Sequence, residues 1–359
     1  MDLGKKVLIG MSGGVDSSVA AFLLKKQGYD VTGATLSMWS ESKFHSDGNS
    51  SMSESVRDAK SVADKIGIRH IVLNCEKEFK EHVIDYFIDE YKNGRTPNPC
   101  IECNKHIKFG YMLDYAIEND YDFIATGHYA KIVYDESAER HFIQKADFDD
   151  KDQTYVLYGL AKEKLCRILM PLWRYSKEEI REIAEKEIGM FIASKPDSMD
   201  ICFIPDNNYK KFIQTHGSFS PSKGNFVDKA GNVIGAHDGI INFTVGQRKG
   251  LGQSFGKPMF VTAINPETNE VILGEKGDEY SSGLITDSIN FFIDFGSTLN
   301  VQCKTRYSAR KAACRITKTD SSSVKVEFDE KQRAATPGQS VVFYENDKVI
   351  GGGIIKSTF

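Results

Sequence analysis

Residues 7–18, Val-Leu-Ile-Gly-Met-Ser-Gly-Gly-Val-Asp-Ser-Ser, constrain this chain more than any other stretch. Val7, Leu8 and Ile9 make an apolar run suited to a buried strand. Gly10 to Gly14 make a tight loop of small residues. From Ser17 onward, apolar Val19, Ala20, Phe22, Leu23 and Leu24 predict a helix closed by Gly28. A strand, a small-residue loop and a helix N-terminus form a phosphate cradle. Glycines admit an anion to backbone N–H groups, and the helix dipole favours negative charge there.

A Walker loop ends in Gly-Lys-Ser/Thr, but no lysine follows Gly14, and the dinucleotide pattern G-x-G-x-x-G is absent too. Ser12-Gly13-Gly14-Val15-Asp16-Ser17 resembles the pyrophosphate (PP) loop of the ATP-pyrophosphatase superfamily, whose members split ATP into AMP and pyrophosphate. The resemblance makes Gly10, Met11, Ser12, Gly13, Gly14, Val15, Asp16 and Ser17 candidate ATP-binding residues. Ser12, Gly13 and Gly14 would present N–H groups and a hydroxyl to the β and γ phosphates. Asp16 would help hold Mg²⁺, and Ser17 and Ser18 would reach the anion from the first helical turn. The plain alternative is an ordinary strand–helix turn.

At 359 residues the chain has room for two or three domains, each with its own core. A 40% hydrophobic and 27% charged composition is that of a soluble globular protein. No apolar run approaches the roughly 20 residues of a membrane span, and the start lacks a signal-peptide pattern. Seven irregularly spaced cysteines argue against a disulfide framework and for a reducing, cytoplasmic setting. With a net charge of −4, any RNA surface must be a local basic patch.

Residues 5–128 alternate between strand and helix. Strands are expected near Val31–Met38, His70–Asn74 and Tyr121–Thr126. Helices are expected at Glu54–Ile66, Phe79–Tyr91 and Asn104–Ile117, with a flexible loop at Ser40–Ser53. This pattern implies a doubly wound parallel sheet with ligands at the carboxyl ends of its strands. Leu36 and Gly127 end two such strands and could contact a nucleotide through their backbone. Residues 161–195 read as a linker plus a helix at Ser176–Glu187. From about 209, short strands between glycine turns predict a small β-rich domain to about 275. Residues 280–359 alternate again and read as a closed β-barrel of about six strands. The expected domains are 1–205, 206–278 and 279–359.

Cys103 precedes Asn104, a plausible helix cap. A thiol at a helix N-terminus, near Lys105 and His106, should have a lowered pKa and act as a nucleophile. Cys100-x-x-Cys103 also has the spacing of half a zinc site, although no second C-x-x-C exists, and two inert thiols are a further reading. Cys202 lies in an apolar run and by spacing alone reads as a buried structural cysteine. Asp152 and Gln153 could cap a helix. Gln247-Arg248-Lys249-Gly250 could meet a phosphate backbone or be a solvated turn. Lys304, Arg306, Arg310, Lys311, Arg315 and Lys318 cluster without an acidic neighbour. Lys304 and Arg306 are expected on one strand face as a contact for an RNA backbone. A merely solvated strand face is the alternative.

Several separated stretches together resemble the bacterial tRNA-specific 2-thiouridylase family. They are Gly10-Met-Ser-Gly-Gly-Val-Asp-Ser-Ser-Val19, Thr96-Pro-Asn-Pro99, Cys103-Asn-Lys-x-Ile-Lys-Phe109, Ala125-Thr-Gly-His-Tyr129, Lys151-Asp-Gln153, Ile201-Cys-Phe-Ile204, Gly246-Gln-Arg-Lys-Gly-Leu-Gly252 and Arg306-Tyr307. The resemblance implies thiolation at C2 of the wobble uridine, position 34, of tRNAs for Lys, Glu and Gln. It makes Cys202 the persulfide carrier and Cys103 its catalytic partner. Asn98, Pro99 and Cys100 would line the target base, and Lys151, Asp152, Gln153, Arg306 and Tyr307 would contact tRNA. It also implies a persulfide donor, such as a cysteine desulfurase or sulfur relay protein. Two departures stand out: Cys100 occupies a position where the family often has aspartate, and Asp200 one where a small residue is usual. The competing readings are another AMP-forming ligase of the superfamily, a non-catalytic tRNA-binding protein, and a metal or iron–sulfur protein built on Cys100 and Cys103.

Overall fold

The computed structural model describes residues 4–39, 54–148, 151–195, 201–218 and 220–359. The loop expected at Ser40–Ser53 lies outside the described residues, as does Asp200. The chain divides into two compact units. One holds residues 1–83 and 100–203, and the other holds 84–99 and 204–359.

The first unit is built on five strands: β1 (Lys6–Gly10), β2 (Asp30–Ser37), β3 (Arg69–Asn74), β4 (Phe123–Ala125) and β7 (Ile168–Leu169). All pair in parallel, in the order β3-β2-β1-β4-β7. Val7, Leu8 and Ile9 are fully buried, as expected of a central strand covered on both faces. The strand order reverses between β1 and β4, and such a switch point opens a crevice at the carboxyl ends of the strands. Helix α1 (Val15–Lys26) starts two residues earlier than expected, while α2 (Glu54–Ile66) runs as expected. Ala59, Val62, Ala63 and Ile66 of α2 join α1 and β1 in one apolar core, and Val56 is buried as well.

Two long helical stretches carry π-helical turns. The first runs through α3 (Glu76–Phe79), the π segment Lys80–Asp85 and α4 (Tyr86–Lys92). The second runs through α5 (Pro99–Glu102), the π segment Cys103–Tyr111 and α6 (Met112–Glu118). The second therefore begins five residues before the expected start at Asn104. Pro99 opens it, because its missing N–H costs nothing in a first turn. Residues 130–145 form a hairpin, β5 (Ala130–Asp135) with β6 (Arg140–Lys145), and 161–169 hold a 3₁₀ turn and β7 where a linker was expected. Ser176 caps α7 (Lys177–Ile183) with a capping box to Glu179. A π turn at Ala184–Ile188 and the short α8 (Met190–Ala193) follow.

The second unit contains α9 (Tyr209–His216), a four-stranded sheet and a barrel. The sheet comprises β8 (Gly224–Val227), β9 (Val233–His237), β10 (Phe260–Asn265) and β11 (Glu270–Gly274). The barrel strands are β12 (Tyr280–Phe291), β13 (Thr298–Lys304), β14 (Ala312–Lys318), β15 (Val324–Arg333), β16 (Ser340–Glu345) and β17 (Lys348–Thr358). Antiparallel pairing in the order β12-β15-β14-β13-β16-β17 returns to β12, so the sheet closes. In the same unit the backbone of residues 96–97 is clamped. Thr96 N donates to Pro337 O at 2.9 Å, and Gln339 Nε2 donates to Thr96 O at 2.8 Å and Pro97 O at 3.2 Å.

Candidate active site

The loop between β1 and α1 is shaped by its own small residues. Gly13 has φ +73°, and a Cβ there would lie 2.7 Å from Ser55 O. Gly14 is the N-cap and has no side chain, so no side chain caps the first N–H groups of α1, while two hydroxyls of its first turn tie down the Gly14 carbonyl. Ser18 Oγ donates to Gly14 O at 2.7 Å and Ser17 Oγ to the same oxygen at 3.2 Å. Ser17 Oγ also accepts from Ser12 N at 3.2 Å, which fixes the entry to the loop. Met11 N bonds Ala34 O of β2 at 2.8 Å, and Val15 is buried. Gly127, two residues past β4, packs directly on this helix start: a Cβ would stand 2.9 Å from both Asp16 C and Ser17 N. Leu36 is half-buried near the carboxyl end of β2. These residues therefore gather around the switch point, where the chain can present N–H groups to an anion.

Asp16 is more engaged than the sequence implies. Its Oδ1 accepts from Tyr129 OH at 2.7 Å and from Lys177 Nζ at 2.7 Å. Lys195 donates to Gly13 O at 3.2 Å and pairs with Asp58. Neither lysine was singled out from the sequence, because lysines at helix starts and ends read as solvated. Among the described residues, no three His, Cys, Asp or Glu side chains gather as a metal-holding group. Mg²⁺ needs only one or two carboxylates when phosphates supply its other ligands, so Asp16 alone fits that role.

The cysteines behave differently from expectation. Cys103 is not at a helix start but in the second turn of the stretch opened by Pro99. Asn104 is no cap: it is buried, and its Nδ2 donates to Val156 O at 2.9 Å. The dipole advantage is confined to the first turn, so the helix start does not lower the thiol pKa. Burial instead pushes Cys103 up to about 12; Lys108 opposes the rise, and Cys202, Cys100 and Cys75 add to it. Cys103 is therefore a thiol, not a thiolate, near neutral pH. Neither Lys105 nor His106 acts as the expected cation. His106 lies 3.3 Å from Glu102 and stacks on His82 with ring centroids 4.4 Å apart.

Cys202 is exposed rather than buried, as is Cys100; both thiols are raised, chiefly by the protein packed around the sulfurs, with Lys108 opposing. Among the described residues the cysteines form no disulfide. Lys108 acts on Cys100, Cys103, Cys202 and buried His128 alike, and burial holds His128 well below the usual imidazole range. An α-helix would carry a residue five positions on about 140° away from Cys103. The π turn, with its i→i+5 ladder, brings Lys108 back towards that face. Only that turn reveals Lys108 as part of the site.

The proposed tRNA contacts fall into two groups. In the first unit, Gln153 Oε1 accepts from Tyr129 N at 2.9 Å and so ties its loop to the segment after β4, while Asp152 Oδ1 accepts from Thr154 N at 3.0 Å within its own loop. Lys151 is half-buried beside them. Cys100 belongs to this unit, whereas Asn98 and Pro99 belong to the other. In that second unit β13 ends at Lys304, so Arg306 lies beyond the strand and the expected shared face does not extend to it. Arg306 Nε donates to Ala334 O at 3.1 Å, and Nη2 donates to Val245 O at 3.1 Å and Thr336 Oγ1 at 2.5 Å. Tyr307 is 44% exposed, with Lys304 Nζ 5.9 Å from its ring. Lys311 and Lys318 bond carbonyls of their own unit.

Comparison with known proteins gives three family models in succession: a tRNA methyl transferase HUP domain over residues 5–206, a tRNA methyl transferase PRC-barrel domain over 210–275 and an aminomethyltransferase beta-barrel domain over 281–355. The chain is 51% identical over 361 residues to a tRNA-specific 2-thiouridylase of Clostridioides difficile, covering 100% of both chains. It is 51% identical to one from Acetivibrio thermocellus, covering 98% of this chain and 99% of the relative. A 4-thiouridine synthetase solved with RNA and bound ATP aligns over 59% of this chain and 50% of its own, at 21% identity and a TM-score of 0.35, a likeness too slight to carry a conclusion.

Proposed function

The chain belongs to the tRNA-specific 2-thiouridylase family, and from that premise we propose that it thiolates C2 of the wobble uridine of tRNA in two chemical stages, with ATP as the activating substrate. It is a tRNA-uridine 2-sulfurtransferase. The C2 oxygen of uridine is a poor leaving group. Its attack on the α-phosphorus of ATP releases pyrophosphate and makes AMP the leaving group. The backbone of residues 12–14 and the start of α1 hold the phosphates, and Gly127 and Leu36 border the nucleotide. Asp16 would hold Mg²⁺ together with the phosphates, where the ion would offset their charge.

Sulfur arrives as a persulfide on Cys202, loaded by a donor of the cysteine desulfurase or relay type. Cys103 attacks Cys202 Sγ, the S–S bond of the persulfide breaks, and the outer sulfur leaves with the electron pair as sulfide. That sulfide displaces AMP at C2. A Cys103–Cys202 disulfide remains, and a reductant resets it. An exposed Cys202 suits loading by another protein. A buried, protonated Cys103 suits a group that is idle until the site fills, with Lys108 favouring the thiolate when it forms. Asn98, Pro99 and Cys100 line the base, and exposed Tyr307 offers a ring for stacking against single-stranded nucleotides. Arg306, held by three acceptors, sets the position of Tyr307. The base is flipped out of the anticodon stack to reach the thiols.

What carries this reading is that the phosphate loop, Cys103 and Cys202 belong to one compact unit of a chain about half identical to thiouridylases along its whole length. No helix among the described residues is long and apolar enough to cross a membrane. The test is mass analysis of uridine 34 in tRNA from cells lacking this chain. We expect 2-thiouridine to vanish there and to return with the wild type but not with Cys103→Ser or Cys202→Ser. Persistence of 2-thiouridine without the chain would sink the assignment.

A further inference from the structure

A Walker loop answers the charge of a triphosphate with its own lysine, and the loop of this chain has none. Two lysines reach it from 160 residues or more away in sequence. Lys177, the first residue of α7, sets its Nζ 2.7 Å from Asp16 Oδ1, with |i−j| = 161, and its side chain is only 12% exposed. Lys195 donates to the carbonyl of Gly13 at 3.2 Å, with |i−j| = 182, and pairs with Asp58 of α2. Its backbone is pinned, since Arg181 Nη1 donates to Ala193 O at 2.6 Å and Lys195 O at 3.0 Å. Gly13 is the left-handed residue of the loop, and a Cβ there would touch Asp58 Cβ at 3.0 Å. Both ammonium groups therefore stand against residues of the 13–16 segment, Lys195 at the Gly13 carbonyl and Lys177 at the Asp16 carboxylate.

Pair formation alone is a poor reason for two half-buried lysines at this place, because desolvation cancels most of the attraction within such a pair. A polyphosphate gives a better one. Asp16 and Asp58 present single carboxylates to the lysines, whereas a triphosphate presents several anionic oxygens to the same N–H groups. A lysine stem is flexible, so an ammonium can move from carboxylate to phosphate while its backbone stays fixed.

We propose that Lys177 and Lys195 are phosphate-binding residues of this site, two cations brought by the fold to replace the lysine that the loop lacks. The proposal rests on the ATP reading above. In the ligand-free protein Asp16 and Asp58 hold the two lysines in place, and the arriving pyrophosphate portion of ATP takes them over.

The test is calorimetric titration of the full-length protein with inorganic pyrophosphate, with ATP and with adenosine. The variants are Lys177→Met, Lys195→Met, Lys195→Arg and Asp58→Asn, each checked for folding by circular dichroism. Each Lys→Met change is expected to weaken pyrophosphate and ATP binding by roughly tenfold to a hundredfold, as loss of a charge-assisted contact does, with adenosine binding unmoved. Lys195→Arg should bind within a few-fold of wild type. Asp58→Asn is the deciding variant. It frees Lys195, so pyrophosphate binding should hold or tighten. A merely structural Lys195–Asp58 pair would make Asp58→Asn and Lys195→Met fail alike, and that result overturns the proposal. Wild type that binds ATP as well as both Lys→Met variants do would overturn it while leaving the ATP reading intact. Wild type that binds neither ATP nor pyrophosphate would bring down that reading and the proposal with it.

Discussion

The phosphate loop and the cysteine helix share one compact unit and reach reactivity by opposite means. The loop works through its main chain, and neighbours in sequence set its shape: Gly13 at φ +73°, with Ser17 and Ser18 both bonded to Gly14 O. The helix works through side chains whose ionisation is set by residues far off in sequence. Cys103 answers to burial first, then to Lys108, Cys202, Cys100 and Cys75. A backbone cradle survives being read locally. A thiol pKa does not, because desolvation depends on everything packed around the sulfur.

The strongest way to break this contrast is a cysteine variant that still thiolates. Cys103→Ser and Cys202→Ser are each expected to lower thiolation in vitro by roughly a thousandfold or more, as loss of a covalent nucleophile does. Pyrophosphate release from ATP in the presence of tRNA should persist, so mass analysis of the tRNA and a pyrophosphate assay should part company.

Next in size is the loop. Gly13→Ala forces a Cβ against Ser55 O in a left-handed conformation. It is expected to cost roughly 1–3 kcal/mol of stability and at least about tenfold in ATP affinity. Thermal unfolding and ATP titration check the two separately. Normal ATP binding by this variant would refute the claim that main-chain shape makes the cradle.

The pH dependence of alkylation sharpens the other side. Cys103 stands at about 12, above its unfolded value, so it is protonated across the neutral range. Its thiolate fraction, and with it the rate of iodoacetamide labelling, should climb about tenfold per pH unit without levelling below pH ~10, whereas an ordinary thiol near pKa ~8.5 levels off. Lys108→Met removes the opposing cation and is expected to slow Cys103 labelling several-fold at fixed pH. Mass spectrometry of the labelled peptides gives both results, and levelling near neutrality would restore the lowered pKa expected from sequence. The smallest effect expected is on Ser18→Ala. It loses the 2.7 Å bond to Gly14 O inside a buried helix start and should cost about 1 kcal/mol in chemical unfolding.

Legibility followed the same division. The bounds of α2 were readable because five apolar residues fall on one face at helical spacing. The closed barrel was readable from alternation. The two-residue β7 was not, since so short a strand has no period to detect. Asn104 read as a cap because polar residues favour helix starts, but Pro99 had already opened the helix and Asn104 was buried against Val156 O. Arg306 read as a surface cation on strand alternation. In the fold it is a strut with three acceptors, because the strand stops at Lys304.

The sequence alone determined the strand, the small-residue loop and the helix start that make the candidate phosphate cradle, because glycine freedom and N-terminal N–H groups are properties of adjacent residues. It also supplied the thiols without settling their state. Only the tertiary structure decided that Cys103 is a buried thiol, that Cys202 is an exposed residue, that Lys108 acts on both, and that Lys177 and Lys195 stand against residues 13–16. Burial and Coulomb interactions act through space, and the chain order of these residues carries no record of which of them become neighbours.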